Sequence, residues 1–161
     1  MVPGAARAVA RLNRAGVAVA VVTNQSVVGA GTIDPAMLER IHDKLHAALA
    51  DADARLDALI VSPDPPGSTT PRRKPAPGML LEALARFGAD AADTPMIGDS
   101  LRDLQAAVAA GCRRMLVRTG KGAATLASGL PPEIEPVAVF DDLAAAVDAY
   151  LADTPKAPRN A

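Results

Sequence analysis

Residues 17–26, Val17-Ala18-Val19-Ala20-Val21-Val22-Thr23-Asn24-Gln25-Ser26, form an apolar run that ends in small polar groups. The run does not alternate, so residues 17–22 predict a strand buried on both faces, the pattern of a parallel sheet covered by helices. Its surroundings agree. Residues 4–15 predict a helix, with Val9 and Leu12 on one face, Arg7, Arg11 and Arg14 towards solvent, and Gly16 as the C-terminal stop. Asp34-Pro35 reads as N-cap and first-turn proline of a helix to about residue 52, with Leu38, Ile41, Leu45 and Leu49 at helical spacing. Strands are expected at 56–62, 94–99, 113–119 and 136–140, and helices at 78–87, stopped by Gly88, at 101–110, ended by Gly111, and from an Asp141 cap to about 151. The proline-rich stretch 63–77 reads as a loop, and 152–161 as a disordered tail. The expected fold class is therefore α/β, a Rossmann-like parallel sheet with helices on both faces, in one domain over 1–151.

Composition narrows the function. The chain has 161 residues and a net charge of −1, which gives no electrostatic footprint for nucleic acid or an anionic membrane. Its single cysteine, Cys112, excludes an internal disulfide and a thiolate-rich zinc site. No apolar run has the length of a membrane span, and the first residues lack the apolar core of a signal peptide. A cytoplasmic protein is expected.

Ligands of parallel α/β sheets bind at the carboxyl ends of the strands. Thr23 and Asn24 stand at such an end and offer a hydroxyl and an amide to a phosphoryl or carboxylate group; a side-chain-tied turn has the same sequence. Lys74, in Arg72-Arg73-Lys74-Pro75, precedes a helix start, a suitable place for an anion, although an exposed basic loop reads alike. Asp99 ends a strand and Asp103 follows one turn later. A carboxylate there is a natural Mg²⁺ ligand, while a helix N-cap is the structural alternative. "VRTGKGAAT" fails the phosphate-loop pattern, having Met115 and Gly122 where glycine and Ser or Thr are needed, and reads as a flexible rim loop. "HDKLH" (42–46) has zinc-protease histidine spacing but Asp43 in place of glutamate, and reads as a helix flank. Cys112 reads as a small core residue.

Taken in order, strand–TNQS, RKP before a helix and strand–GDxxxD resemble the haloacid dehalogenase-like phosphatase superfamily. The closer likeness is to its branch of heptose-bisphosphate and histidinol-phosphate phosphatases. It runs from Pro3-Gly4 to about Gly122 through "PGAARAVARLNRAGVAVAVVTNQS", "IHDKLHAAL", "RKPAPGMLLEA", "MIGDSLRDLQAA" and "LVRTGKG". The resemblance implies an Mg²⁺-dependent phosphatase acting on a small phosphorylated sugar. Thr23, Asn24, Gln25 and Ser26 would then hold the phosphoryl group, Lys74 would neutralise its charge and Arg73 would contact substrate phosphate. Asp99 would ligate Mg²⁺, with Asp103 in support.

Two departures accompany the likeness. The family's first motif, an apolar strand ending in Asp-x-Asp that carries the nucleophile, would precede Met1, and its strand would lie between those ending at Thr23 and Asp99. The expectation is a chain inactive as it stands, from a misplaced start or a truncation; a non-catalytic phosphate-binding protein or a decayed fragment are the alternatives. Secondly, relatives often carry a Cys/His zinc loop before RKP. Residues 63–77 contain neither Cys nor His, so no zinc is expected and the loop is held, if at all, by its prolines.

Overall fold

The computed structural model describes residues 1–25 and 35–153. The strands are β1 (Ala20–Asn24), β2 (Ala58–Ser62), β3 (Pro95–Gly98), β4 (Arg113–Val117) and β5 (Ala138–Phe140). The helices are α1 (Ala5–Arg14), α2 (Pro35–Ala50), α3 (Gly78–Phe87), α4 (Leu101–Ala110), α5 (Gly122–Ala127) and α6 (Leu143–Asp153), with a 3-10 turn at Pro132–Ile134. α5 and the 3-10 turn were not expected from the sequence. α6 runs two residues past the expected end, through Ala152 and Asp153. Its N-terminal cap is Asp142, whose Oδ1 accepts from the Ala145 amide at 2.9 Å, and not Asp141, which pairs with Arg118. The expected Asp34 cap, the Leu38 side chain and residues 154–161 lie outside the described residues.

Every strand pair is parallel, as the alternation predicted. The strands form two sheets, β1-β2 and β3-β4-β5, and no pairing among the described residues joins them. β1 therefore differs from the expected fully buried strand: it is half-buried along its whole length, whereas alternate residues of β2 are fully buried. In a parallel ladder, alternate residues turn their polar backbone groups to opposite sides. Val19 accepts from Ala58 and Gln25 donates to Ser62, so the even-numbered residues Ala20, Val22 and Asn24 point away from β2. β3 is likewise paired on one side and half-buried.

Helices hold the two sheets together from both faces. On one face α3 and α4 supply Leu80, Ala106, Ala107 and Ala110 against Val22 of β1 and Met96 of β3. On the other, Ala8 and Leu12 of α1 meet Val147 of α6, and Val9 and Ala10 meet Leu49 of α2. β4 shows the two-sided burial most plainly. Leu116 packs with Leu104 and Ile134, while Met115 and Val117 pack with Ala146. Leu104 and Leu116 are completely buried; truncating such a leucine to alanine costs about 2–5 kcal/mol. Gly16, Gly88 and Gly111 take positive φ angles of 75°, 59° and 77° at the ends of α1, α3 and α4, the helix stops read from the sequence. No helix among the described residues is long and apolar enough to cross a membrane.

Candidate active site

The carboxyl ends of β1 and β3 open onto one cleft of about 450 Å³, lined by Thr23, Asn24, Arg73, Lys74, Asp99, Ser100, Arg102, Asp103 and Lys121. Residues from four separate stretches of sequence converge there. Thr23, Asn24, Arg73, Lys74, Asp99 and Asp103 were singled out in the sequence, whereas Arg102 was not. Its signal was weak, an arginine three residues after Asp99 in the first turn of α4.

Lys74 is the hub. Its Nζ lies 2.6 Å from Asp103 Oδ1 and donates to the Val22 carbonyl at 2.8 Å. The pair is nearly out of solvent, with 11% of the lysine side chain and 9% of the aspartate side chain exposed. Asn24 fixes the lysine backbone at two points. Its Nδ2 donates to the Lys74 carbonyl at 2.9 Å, and its Oδ1 accepts from the Lys74 amide at 3.0 Å. Both polar ends of the Asn24 side chain are thus committed to Lys74. The Thr23 hydroxyl, one residue earlier, makes no described hydrogen bond.

Asp103 reaches back to the start of its own helix. Its Oδ2 accepts from the Ser100 amide at 3.1 Å and the Ser100 hydroxyl at 2.8 Å, which satisfies the N-cap of α4. A Cβ at Gly98 would collide with this carboxylate, so only glycine allows the approach. The cap reading of the GDxxxD stretch is met by Ser100, the N-cap of α4, with Asp103 closing the capping box from the third helical position. Asp103 also pairs with Lys74, and Asp99 lines the cleft.

The "TGKG" segment does more than form a rim. The Lys121 amide donates to Asp99 Oδ2 at 3.0 Å, and Thr125 Oγ1 donates to the Asp99 carbonyl at 2.9 Å. Gly120, at φ +64°, leaves the space that the Asp99 carboxylate fills. Oδ2 is thereby held, and no described bond engages Oδ1. Among the described residues no group of three or more His, Cys, Asp and Glu side chains gathers as metal ligands. One free carboxylate oxygen suits Mg²⁺, which keeps several waters and needs few protein ligands.

Arg73 is 7% exposed, and its NH1 donates to the Asp64 carbonyl at 2.6 Å. The loop is held by more than its prolines. Asp64 Oδ2 accepts from Ser62 Oγ at 2.7 Å and Thr70 Oγ1 at 2.9 Å. These bonds, Ser62 first and Thr70 second, hold the Asp64 carboxyl below its ordinary pKa. Gln25 turns to His42, 3.1 Å from its Nε2, and is absent from the cleft lining, so the structure does not bring it to the site. Ser26 lies outside the described residues. Cys112 is 2% exposed, and burial pushes its thiol pKa up, the state of an inert core cysteine.

The chain belongs to the HAD-like phosphatases, a family of phosphomonoester hydrolases, and a HAD-hydrolase-like family model matches residues 71–146. Its relatives are more particular than that class. It is 46% identical to the D-glycero-beta-D-manno-heptose-1,7-bisphosphate 7-phosphatase of Bordetella bronchiseptica, over 92% of this chain and 82% of that protein. It is 41% identical to the enzyme of the same name from Pseudomonas aeruginosa, over 93% and 83% of the two chains. Among solved structures, the B. bronchiseptica D,D-heptose 1,7-bisphosphate phosphatase complexed with magnesium and phosphate superposes with a TM-score of 0.88 at 45% identity, covering 95% of this chain and 84% of that one. The Burkholderia thailandensis D,D-heptose 1,7-bisphosphate phosphatase gives a TM-score of 0.75 at 44% identity, with 94% and 86% covered.

Proposed function

We propose that the cleft is the phosphoryl-binding site of a magnesium-dependent, cytoplasmic phosphatase acting on a small phosphorylated sugar of the heptose-bisphosphate type. The observation that carries this reading is the charge of the cleft. Arg73, Lys74, Arg102 and Lys121 line it against only Asp99 and Asp103. Asp103 is used by Lys74, and Arg73, although buried, has no ion pair within 4 Å among the described residues. The Asp64 carboxylate acts on Arg73 only from longer range, and a phosphate dianion supplies a counter-charge at contact distance.

The roles follow from the geometry. Thr23, whose hydroxyl makes no hydrogen bond among the described residues, donates it to a phosphoryl oxygen. Lys74, held by Asn24 and Asp103, carries the charge that stabilises the transferring group, since phosphoryl transfer depends on positioning and electrostatics. Arg73 binds phosphate oxygens from the loop side. Ser26 keeps its place in the phosphate-binding set on the sequence motif alone. Asp99 would hold magnesium through Oδ1, and the ion, when bound, neutralises charge on the phosphoryl oxygens.

The family's aspartyl-phosphate chemistry needs a carboxylate free to attack. Asp103 is engaged at both oxygens, and Asp99 is held by Lys121 and assigned to the metal. These 161 residues are therefore read as binding phosphate and magnesium without turnover. Calorimetry with inorganic phosphate, with and without Mg²⁺, tests the first half; phosphate release from heptose bisphosphate tests the second. Phosphate binding that tightens with Mg²⁺, and no release, is the expected result. Absence of binding, or measurable turnover by these residues alone, would overturn it.

A further inference from the structure

We infer that Asp64 is a positioning residue: its carboxylate staples the 63–77 loop across itself, and its carbonyl sets the Arg73 guanidinium at the phosphoryl site. For its binding readout the inference rests on the function proposed above.

Three stations of the loop meet at this one residue. The first is the base of the loop, Ser62 at the end of β2, whose side chain is fully buried and whose hydroxyl bonds Asp64 Oδ2 at 2.7 Å. The second is the returning limb, where Thr70 Oγ1 bonds the same oxygen at 2.9 Å. The third is Arg73, whose NH1 bonds the Asp64 carbonyl at 2.6 Å. A proline-rich loop with no regular secondary structure has few ways to fix its path, because prolines set local φ but cannot tie distant limbs together. The shared carboxylate oxygen does tie them, through two hydroxyl donors to an ionised acceptor, the stronger class of hydrogen bond.

Neighbouring anchors act elsewhere. Arg72 Nε bonds the Val61 carbonyl at 3.2 Å, and its guanidinium pairs with Glu82 on α3, fixing the outer side of the loop. The Gly78 amide bonds the Pro71 carbonyl at 2.9 Å, fixing its exit. Neither contact reaches the Arg73 guanidinium. Its described hydrogen bond is to Asp64, so the direction of this buried cation is set from there.

The experiment uses the 161-residue protein with Mg²⁺ and inorganic phosphate as the probe. Asp64→Ala should weaken phosphate about tenfold, the worth of one to two net hydrogen bonds. Asp64→Asn keeps an acceptor oxygen for Ser62 and Thr70 and should stay within about threefold of the parent, a rescue by the conservative variant. In an Arg73→Ala background, Asp64→Ala should cost less than about twofold, because the residue acts through Arg73. An equal loss in both backgrounds overturns the inference, as does Asp64→Asn behaving like Asp64→Ala. A second readout does not depend on phosphate binding. Phenylglyoxal labelling of Arg73, followed by peptide mass, should be slow in the parent and about tenfold faster in Asp64→Ala. Thr70→Val, which removes one donor and leaves the backbone intact, should shift labelling in the same direction by a smaller factor. If no variant binds phosphate yet Arg73 labelling rises in this way, the functional reading fails and the positioning role stands. Unchanged labelling in Asp64→Ala, or in Thr70→Val should Asp64→Ala not fold, overturns the positioning role.

Discussion

Replacing Lys74 by methionine removes the cation from a pair that is 11% and 9% exposed and leaves Asp103 without its counter-charge. Breaking a buried pair from one side costs about 3–5 kcal/mol, mostly from the stranded charge. Removing both charges strands nothing. Lys74→Met with Asp103→Leu should then lose chiefly the Ser100 cap of α4, about 1 kcal/mol, and the bond to Val22, about 1 kcal/mol. The double variant should thus be more stable than Lys74→Met alone, and since either single variant strands a charge, the coupling across the cycle should be about 4 kcal/mol or more. Urea unfolding of the four proteins, followed by far-ultraviolet circular dichroism, measures it; each 1.4 kcal/mol changes the folded-to-unfolded ratio about tenfold. Losses that simply add, within about 0.5 kcal/mol, would refute the buried-pair account and place Lys74 in an open, solvated position.

Asn24→Ala removes two hydrogen bonds to the Lys74 backbone and should cost about 1–3 kcal/mol in urea unfolding; phosphate affinity should also drop although Asn24 itself need not touch phosphate. Gly120→Ala places a methyl against the Asp99 carboxylate at a left-handed φ of 64°. Mg²⁺ affinity, read by calorimetry, should fall more than phosphate affinity measured without metal. Asp64 is held below the ordinary aspartate pKa of 3.8, so its contribution is full above that value and is lost as pH falls through the lower folded-state value. Acid titration of stability should therefore be shallower below pH 3.8 in Asp64→Asn than in the parent.

The order of strands and helices was legible because each element carries its own period and its own stop. Gly16, Gly88 and Gly111 close helices where the sequence said they would. Asp99 and Lys74 were legible as candidate site residues because a charge at a strand end or before a helix suits a ligand as well as a cap or a basic loop, and the structure brings both to one cleft. What stayed hidden depends on pairings distant in sequence. Asn24 reads as a ligand-binding amide, yet both its polar ends serve Lys74, fifty residues on. Asp64 lies in a stretch read only as a proline-rich loop, and only the returning Thr70 and Arg73 give it a role. The half-exposure of β1 was hidden for the same reason, since an apolar run reports what its side chains prefer and not how many neighbours its backbone finds. Helix α5 escaped notice because six residues, mostly Gly and Ala, show too little periodicity.

The bond from Lys74 Nζ to the Val22 carbonyl has a consequence outside chemistry. Val22 turns that carbonyl away from β2, towards the side of β1 where no described strand pairs. Such a rung is where another molecule could add a strand, and a buried ammonium on it works as a gatekeeper against that addition. The side chain proposed above to act on a transferring phosphoryl group is thus also placed to guard that edge of β1. Its loss is expected to bring concentration-dependent association together with the loss of phosphate, coupling solubility and ligand binding through a single amine.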